Sequence, residues 1–299
     1  MTFVEMAYRW ISPSASNVVL PVETRQVTII RAPSFARFSL INSLTELAHY
    51  RDLLYTLTVH RIRVRYKQSV LGMSWAVVQP VSMMIVFTVV FSLIARVPSG
   101  DVPYAIFAYV GLLPWNFFSG SVTNSTGSLV SHAQLITKVY FPREILPITY
   151  VLAAVFDSLI ASSVLAALMF YYRVPLTINA LYTIPIVVVL ALFSLSMGLL
   201  LSATQVRFRD IGMAVPLLLQ LWMFATPILY PLSAVPAQLR DIYALNPLVS
   251  IIESFRQALL SETAPDLWSL AKSALISMML LIASYSYFKR VEATMADKI

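Results

Sequence analysis

The sequence predicts an all-α membrane protein with six transmembrane helices, an N-terminal amphipathic interface helix, and re-entrant gate helices between spans five and six. Of its 299 residues, 59% are hydrophobic and only 12% are charged, and the mean hydropathy is +0.77. Soluble domains carry roughly a quarter charged residues, so these values argue against a soluble globular enzyme. They also argue against a disordered chain, which would be poor in apolar residues.

Six apolar blocks are predicted as the spans because charged residues delimit them, and one span needs about 20 residues. The blocks are 73–95, 104–126, 145–172, 178–204, 212–230 and 270–288, of which the second and fifth are the least regular. The third block is interrupted once, by Asp157. A mid-span Asp costs about 3 kcal/mol on insertion scales, so we expect this side chain to be hydrogen-bonded inside the bundle. A site lining a transport path is the alternative.

The distribution of Lys and Arg predicts that both termini are cytoplasmic. An even number of spans places both termini on one side, and this side receives 16 of the 21 basic residues. Basic residues accumulate on the cytoplasmic side of membrane proteins. The net charge of +7 is therefore explained by membrane topology, and no nucleic-acid partner is predicted. The first 30 residues lack a continuous apolar core, so no cleavable signal peptide is predicted.

Two segments have the pattern of helices that flank the spans. Residues 44–67 place apolar residues at three- and four-residue steps and end in the basic run HRIRVRYK, which predicts an amphipathic helix in the headgroup plane. Residues 248–260 are apolar on one face but too short to span, which predicts a re-entrant or interfacial helix. Within it, Glu253 and Arg256 are three residues apart and can pair.

The sequence lacks the motifs of several enzyme classes. There is no GxxxxGK[ST] loop for ATP and no GxSxG nucleophile motif. There is no cysteine, and the three histidines are scattered, which argues against a metal site. We therefore predict no catalytic residue, no metal and no cofactor on this chain.

Four stretches, in this order along the chain, resemble the membrane subunits of ATP-binding-cassette exporters. They are RVRYKQSVLGMSWAVVQP (63–80), YFPREILP (140–147), VRFRDIG (206–212) and NPLVSIIESFR (246–256). The branch that they resemble most is the bacterial polysaccharide exporters, which move O-antigen, capsule or teichoic acid chains. The resemblance covers about residues 45–290.

The resemblance implies a permease subunit that works as a homodimer bound to two copies of a P-loop ATPase. ATP and Mg would be held by that partner, so this chain is not expected to be an enzyme. The expected substrate is a lipid-linked polysaccharide, with an O-antigen or lipopolysaccharide glycan preferred, and the expected location is the bacterial inner membrane. The expected domains are a cytoplasmic N-terminal extension (1–43), a transmembrane permease domain (44–290) and a cytoplasmic tail (291–299).

The resemblance also implies roles for particular residues. Contact with the ATPase is expected for two loops, with topology determinants in the headgroup zone as the alternative: Lys138, Arg143, Glu144, Arg207, Arg209 and Asp210. A basic cluster could attract the pyrophosphate of the substrate, although ordinary positive-inside anchoring explains it equally well: Arg61, Arg63, Arg65 and Lys67. An aromatic channel between the two copies is implied, with these candidates: Trp75, Phe87, Phe91, Phe107, Phe118, Trp222 and Phe224. Glu253 and Arg256 lie in the segment that matches the external gate.

Two other functions stay open at this point. A drug or lipid exporter permease of the same superfamily would share the topology. An ion-coupled flippase would work without any ATPase and would depend on Asp157.

Overall fold

A computed structural model of the protein describes residues 40–67, 69, 71–96, 102–261 and 263–298, which form helices and no strand. Most of the predicted extension 1–43 lies outside these residues. The helices are α1 (Leu40–His49), α2 (Arg51–Tyr66), α3 (Trp75–Phe87), α4 (Tyr104–Thr126), α5 (Ser128–Ser131), α6 (Ala133–Lys138), α7 (Ile145–Tyr171), α8 (Thr183–Arg207), α9 (Ile211–Ala225), α10 (Ala237–Ala244), α11 (Pro247–Leu260) and α12 (Leu267–Lys298).

Five helical stretches in the described residues are long and apolar enough to cross a membrane. They are Gly72–Ile94, Tyr104–Thr126, Ile145–Tyr171, Ile178–Arg207 and Leu267–Glu292, which match predicted spans one to four and six. Predicted span five corresponds to α9, which has only 15 residues. At 1.5 Å per residue it is about 22 Å long, whereas the hydrocarbon core of a bilayer is about 30 Å thick. The all-α membrane fold is confirmed, and the count of six spans stays a prediction.

The first span is not a regular α-helix along its whole length. After α3 the chain continues as a π-helix over Thr88–Ile94, in which each turn holds more residues than an α-turn. Pro80 and Met84 are the buried residues of α3, so most of this helix is uncovered in a single copy. The sequence pattern gave no sign of the π-helical end.

Helix α4 is the centre of the bundle, and most of its residues are buried. Two hydroxyl groups fasten it to α7: Tyr109 donates to the carbonyl of Ala161 at 2.8 Å, and Ser125 donates to the carbonyl of Pro147 at 3.1 Å. On the other side, α8 approaches closely at Gly198, where a Cβ would lie 2.8 Å from the Cβ of Ser125. The Tyr109 and Ser125 hydroxyl groups of α4 are thus hydrogen-bonded inside the bundle, as an apolar surrounding favours.

A second hydrophobic cluster gathers several chain segments at one end of the bundle. Its members come from the connection after α4, the start of α7, the end of α8 and the end of α12: Leu129, Ile136, Phe141, Ile145, Leu146, Leu199, Ala203, Val206, Phe288 and Met295. Leu53, Leu54 and Leu57 of α2 pack against this cluster. The predicted interface helix, the two predicted ATPase-contact loops and the last helix therefore lie at the same end.

The predicted helix 44–67 is present, but it is divided in two at Tyr50. This residue has φ −92° and ψ 19°, outside the helical range, and it separates α1 from α2. Helix α2 contacts Tyr150 and then Asp157 of α7, so it runs along the third span toward the middle of that helix. The sequence pattern predicted a helix in the headgroup plane, and it did not predict that α2 runs along the third span.

Candidate functional site

A polar cavity of about 390 Å³ lies between α2, α3, α4 and α7. Its polar lining comes from all four helices: Arg61, Arg65, Gln79, Asn116, Ser119, Asn124, Tyr150, Asp157 and Ser158. Polar side chains in membrane helices almost always face the bundle interior or a cavity, where they commonly mark a substrate path. This concentration of polar groups makes the cavity the strongest candidate for a functional site in the described part of the chain.

Asp157 connects the interface helix to the third span within this cavity. Its carboxylate forms an ion pair with Arg65 and accepts a hydrogen bond from the hydroxyl of Tyr66. Burial, reinforced by the hydrogen bond to Asp157, raises the pKa of Tyr66, so the hydroxyl stays protonated and remains a donor. The expectation that Asp157 is hydrogen-bonded inside the bundle is confirmed. Its partners were not foreseen, because they lie outside the spans.

Arg61 is held by two neighbours at the edge of the same cavity. Its Nη2 donates to Nε2 of His132 at 2.8 Å, and its guanidinium carbon lies 3.7 Å from the ring centroid of Tyr150. Nδ1 of His132 donates to the carbonyl of Ser128 at 2.8 Å, which leaves Nε2 as the acceptor. Burial lowers the pKa of His132, and the charge of Arg61 lowers it further, so the imidazole stays neutral.

The four residues of the predicted pyrophosphate cluster thus divide into two pairs. Arg61 and Arg65 line the cavity and contact α7 or the connection after α4. Arg63 and Lys67 are exposed. Arg65 is exposed as well, but its charge is paired with that of Asp157.

Glu144, which was predicted to touch the ATPase, is engaged inside the protein. Its side chain is 1% exposed, accepts a hydrogen bond from the Tyr285 hydroxyl at 2.9 Å and lies 2.8 Å from Nζ of Lys289. Lys289 also pairs with Glu292 at 2.9 Å. The backbone nitrogen of Arg143 donates to the Glu292 carboxylate at 3.1 Å, and its guanidinium donates to the Glu292 carbonyl. The Glu144 carboxylate is therefore occupied within this copy, and its contact with an ATPase stays a prediction.

The other predicted ATPase-contact residues are placed differently. Lys138 is the last residue of the short helix α6, and it is exposed. Arg207, Arg209 and Asp210 connect α8 to α9 and are exposed as well. Their contact with an ATPase stays a prediction. The sequence did not indicate that Lys289 and Glu292 contact residues 143–144, because residues so far apart in the chain show no pattern that predicts such a contact.

Arg256 holds the predicted gate helix α11 to the rest of the bundle. Its side chain is 4% exposed, and its guanidinium donates to the carbonyls of Pro227, at 2.8 Å, and Ile228. It also lies 4.0 Å from the ring centroid of Phe107 on α4, and its Nη1 is 3.7 Å from the Glu253 carboxylate. The predicted Glu253–Arg256 pair is confirmed. The gate role of these helices stays a prediction.

The loop after α9 receives further contacts from the gate segment. Asn246 caps α11 by accepting from the backbone nitrogen of Leu248 at 3.1 Å, and its Nδ2 donates to Thr226 at 3.1 Å. The hydroxyl groups of Tyr230 and Tyr243 are 3.1 Å apart. A movement of α11 would therefore move this loop and the end of α9 with it.

The seven predicted channel aromatics do not share one surface. Trp75 and Phe224 are about half exposed, at 51% and 52%. Phe87, Phe91 and Trp222 are partly buried. Phe107 and Phe118 are 6% and 0% exposed, and Phe118 stacks on Phe193 within the same copy. The channel assignment stays a prediction, and Phe107 and Phe118 would have to leave this core to line a channel between two copies.

Comparison with known proteins identifies the family. Residues 52–260, which include most of the cavity-lining helices and the gate segment, match the family model described as ABC-2 type transporter. The chain belongs to the ABC-2 transporter family.

Several curated relatives of this ABC-2 transporter chain have names that refer to polysaccharides. A Myxococcus xanthus protein, O-antigen export system permease protein RfbA, is 34% identical over 264 residues, which cover 87% of this chain and all of the relative. A Klebsiella pneumoniae protein of the same name is 33% identical over 71% of this chain and 81% of its own length. The Escherichia coli polysialic acid transport protein KpsM is 24% identical over 80% of this chain and 93% of its own length.

Replacing Lys289 by Met should destabilise this ABC-2 transporter chain, because Glu144 would stay buried without its cation. Loss of one partner of a buried pair costs about 3–5 kcal/mol. The Glu144→Gln/Lys289→Met double variant should recover part of this loss, because Glu144 then carries no unpaired charge, while Glu292 loses Lys289 and keeps its hydrogen bond from Arg143. Thermal unfolding of the detergent-purified protein compares these variants. Lys272→Met, an exposed position on the same helix, is the control, and equal stability of Lys289→Met and this control would contradict the assignment.

Gly111→Ala should destabilise the protein although alanine favours helices. A Cβ at this position would lie 2.6 Å from Nη2 of Arg256 and 2.7 Å from the carbonyl oxygen of Ile228, and a backbone atom cannot move away cheaply. We expect a loss of about 1–3 kcal/mol in the free energy of unfolding. Gly127→Ala, where a Cβ would meet nothing within 4 Å, is the matched control and should be neutral. The measurement is the midpoint of thermal unfolding of both variants. Equal midpoints would show that Arg256 can move away from the added methyl group and is not tightly held.

Proposed function

We propose that this chain is the permease subunit of an ATP-driven exporter that moves a lipid-linked polysaccharide across the bacterial inner membrane. The observation that carries the proposal is the similarity over the full length of an O-antigen export permease. The Myxococcus xanthus and Klebsiella pneumoniae relatives, both above 30% identity, share that name, whereas the polysialic acid transport protein is 24% identical. An O-antigen or related lipopolysaccharide glycan is therefore the preferred substrate.

The energy source of the proposed exporter is a separate subunit. The chain has no P-loop sequence, so ATP and Mg are assigned to a partner ATPase. This partner binds at the end that carries the exposed Lys138, Arg207, Arg209 and Asp210. The excess of basic residues at this end supports a cytoplasmic location for it and for both termini.

Two copies of the chain form the proposed transport unit. Helices α3 and α9 carry exposed large apolar side chains that a second copy would cover: Ile85, Val86, Met213, Leu217, Leu218 and Leu221. Trp75 and Phe224 are exposed on the same two helices. Sugar rings have apolar faces that stack on aromatic side chains, so a path between the copies would let an uncharged polymer slide along these residues.

Movement of the ATPase reaches the bundle through contacts already described. A push on the loop before α7 acts on Arg143 and Glu144, which are fastened to α12 through Glu292 and Lys289. Helices α7 and α12 therefore respond together. At the opposite end, Arg256 makes α11 follow any displacement of the loop after α9. In this mechanism, ATP binding opens a path outward by shifting these linked helices.

The ion-coupled alternative loses its main support in this arrangement. That alternative relied on Asp157 as a solitary charge in the middle of a span. The ion pair with Arg65 and the hydrogen bond from Tyr66 instead give this carboxylate a structural role.

Co-purification is the experiment that tests the proposed function. The chain, tagged and extracted in mild detergent from its native host, should carry a P-loop ATPase in equal amount. Deletion of the gene should then leave a lipid-linked glycan inside the cell. A chain that purifies without an ATPase yet moves substrate in vesicles under an ion gradient would refute the proposal.

The exposed basic pair of the interface helix provides a second test. Arg63→Gln/Lys67→Gln removes the charges that would attract a pyrophosphate without disturbing the contacts of Arg61 and Arg65. We expect glycan export to fall several-fold while the amount of protein in the membrane stays unchanged. Arg51→Gln, at an exposed site at the start of the same helix, is the control. Normal export with less inserted protein would indicate topological anchoring instead.

A further inference from the structure

We propose that the cavity between α2, α3, α4 and α7 binds the phosphate-bearing end of the lipid-linked glycan. In this site Arg61 and Arg65 face the phosphate, and carboxamide side chains face the hydroxyl groups of the first sugar. The inference rests on the proposed function, because it names the part of the substrate that the permease recognises.

The charge of the cavity favours an anion. Two guanidinium groups and one carboxylate, that of Asp157, line it, so its formal charge is positive. A guanidinium carries five N–H donors. Arg65 uses Nη1 for Asp157 and Arg61 uses Nη2 for His132, and both side chains keep further donors for phosphate oxygens. Guanidinium groups match the geometry of phosphate particularly well.

The carboxamides point to a polyhydroxyl ligand. Gln79 comes from α3, and Asn116 and Asn124 come from α4. Each carboxamide offers donors and an acceptor, which suits hydroxyl groups that both donate and accept. Nδ2 of Asn116 is buried and has no hydrogen-bond partner among the described residues. Buried polar atoms are nearly always bonded, so an apolar residue would be more stable here unless a ligand uses the amide.

The size of the cavity limits which part of the substrate it can hold. Its volume of about 390 Å³ is near the lower end of the roughly 300–1,000 Å³ range of small-molecule sites. This is enough for one sugar with its phosphate and too little for a polymer. The aromatic ring of Phe117 lines one wall and can pack on the apolar face of a sugar ring. The site therefore recognises the end of the glycan. It is separate from the path along which the rest of the glycan moves.

A phosphate with neighbouring hydroxyl groups also occurs in the headgroup of phosphatidylglycerol. The test must distinguish this bilayer lipid from the glycan carrier. Three soluble probes do so: a short-chain prenyl diphosphate that carries a single hexose, the same prenyl diphosphate without the sugar, and dioctanoyl phosphatidylglycerol. Their dissociation constants are measured by tryptophan fluorescence on the purified full chain, with its ATPase, in phosphatidylcholine nanodiscs.

We expect the hexose-bearing probe to bind roughly tenfold more tightly than the bare diphosphate, the contribution of about one good hydrogen bond. Asn116→Leu should abolish this preference without weakening the bare diphosphate. Arg65→Gln/Asp157→Asn, which removes the guanidinium and its partner together, should weaken both diphosphates by at least tenfold. Thr123→Val, a polar-to-apolar change on α4 at an exposed side chain that does not line the cavity, should change nothing.

Stability measurements keep this test informative. Asn116→Leu should unfold at the same temperature as the parent or a higher one, because it removes an unpaired buried amide. If this variant does not fold, Gln79→Leu, at an exposed position of the lining, replaces it.

Equal affinity for the two diphosphates in the parent protein would overturn the proposal, and so would an unchanged preference in Asn116→Leu. Binding of phosphatidylglycerol as tight as that of the hexose-bearing probe would assign the cavity to a bilayer lipid, which also overturns it. These outcomes leave co-purification with the ATPase and glycan export intact. If the proposed function is wrong, the ATPase will not co-purify and glycan export will not depend on this chain.

Discussion

Glu144 and Arg256 are buried charged groups in an apolar bundle, Asp157 is a partly buried one beside the cavity, and the contacts that compensate these three charges connect the helices. A charge in such a surrounding is tolerated only with partners that neutralise it and occupy its hydrogen-bonding atoms. Each of these residues finds its partners on another segment of the chain: α2 for Asp157, α12 for Glu144, and the loop after α9 for Arg256. Polar compensation thus connects elements that nonpolar contact alone would orient loosely.

These connections divide the molecule into two mechanical regions. At one end, the interface helix, the loop before α7 and the last helix share a hydrophobic cluster and the Glu144–Lys289 pair. At the other end, α10 and α11 are fastened to the start of α4 and the loop after α9. Helix α4 extends through both regions, and its tight packing makes it the rigid reference for movement at either end. The polar cavity lies beside this reference helix, within reach of the region that an ATPase would move.

Much of the fold could be predicted because charges bound apolar blocks in membrane proteins. Five of the predicted spans and helix 248–260 were located to within a few residues of the helices observed. The candidate site was only partly predictable. Arg65 and Asp157 were both singled out, but 92 positions separate them, and 145 separate Glu144 from Lys289. Sequence periodicity shows which side of a helix is apolar. It does not show which other helix packs against that side. The burial of Phe107, Phe118 and Glu144 therefore could not be foreseen.

The contact of Asp157 with α2 has a consequence for biosynthesis. A ribosome makes the chain from its N-terminus, so Arg65 and Tyr66 leave the ribosome well before the third span does. Because α2 is not itself a span, it can wait at the membrane surface while the first two spans are inserted. The acidic residue then enters the bilayer beside a cation that is already in place. The cation that pairs with Asp157 thus belongs to a segment that is made earlier and lies outside the membrane spans, so it is available when the third span is inserted.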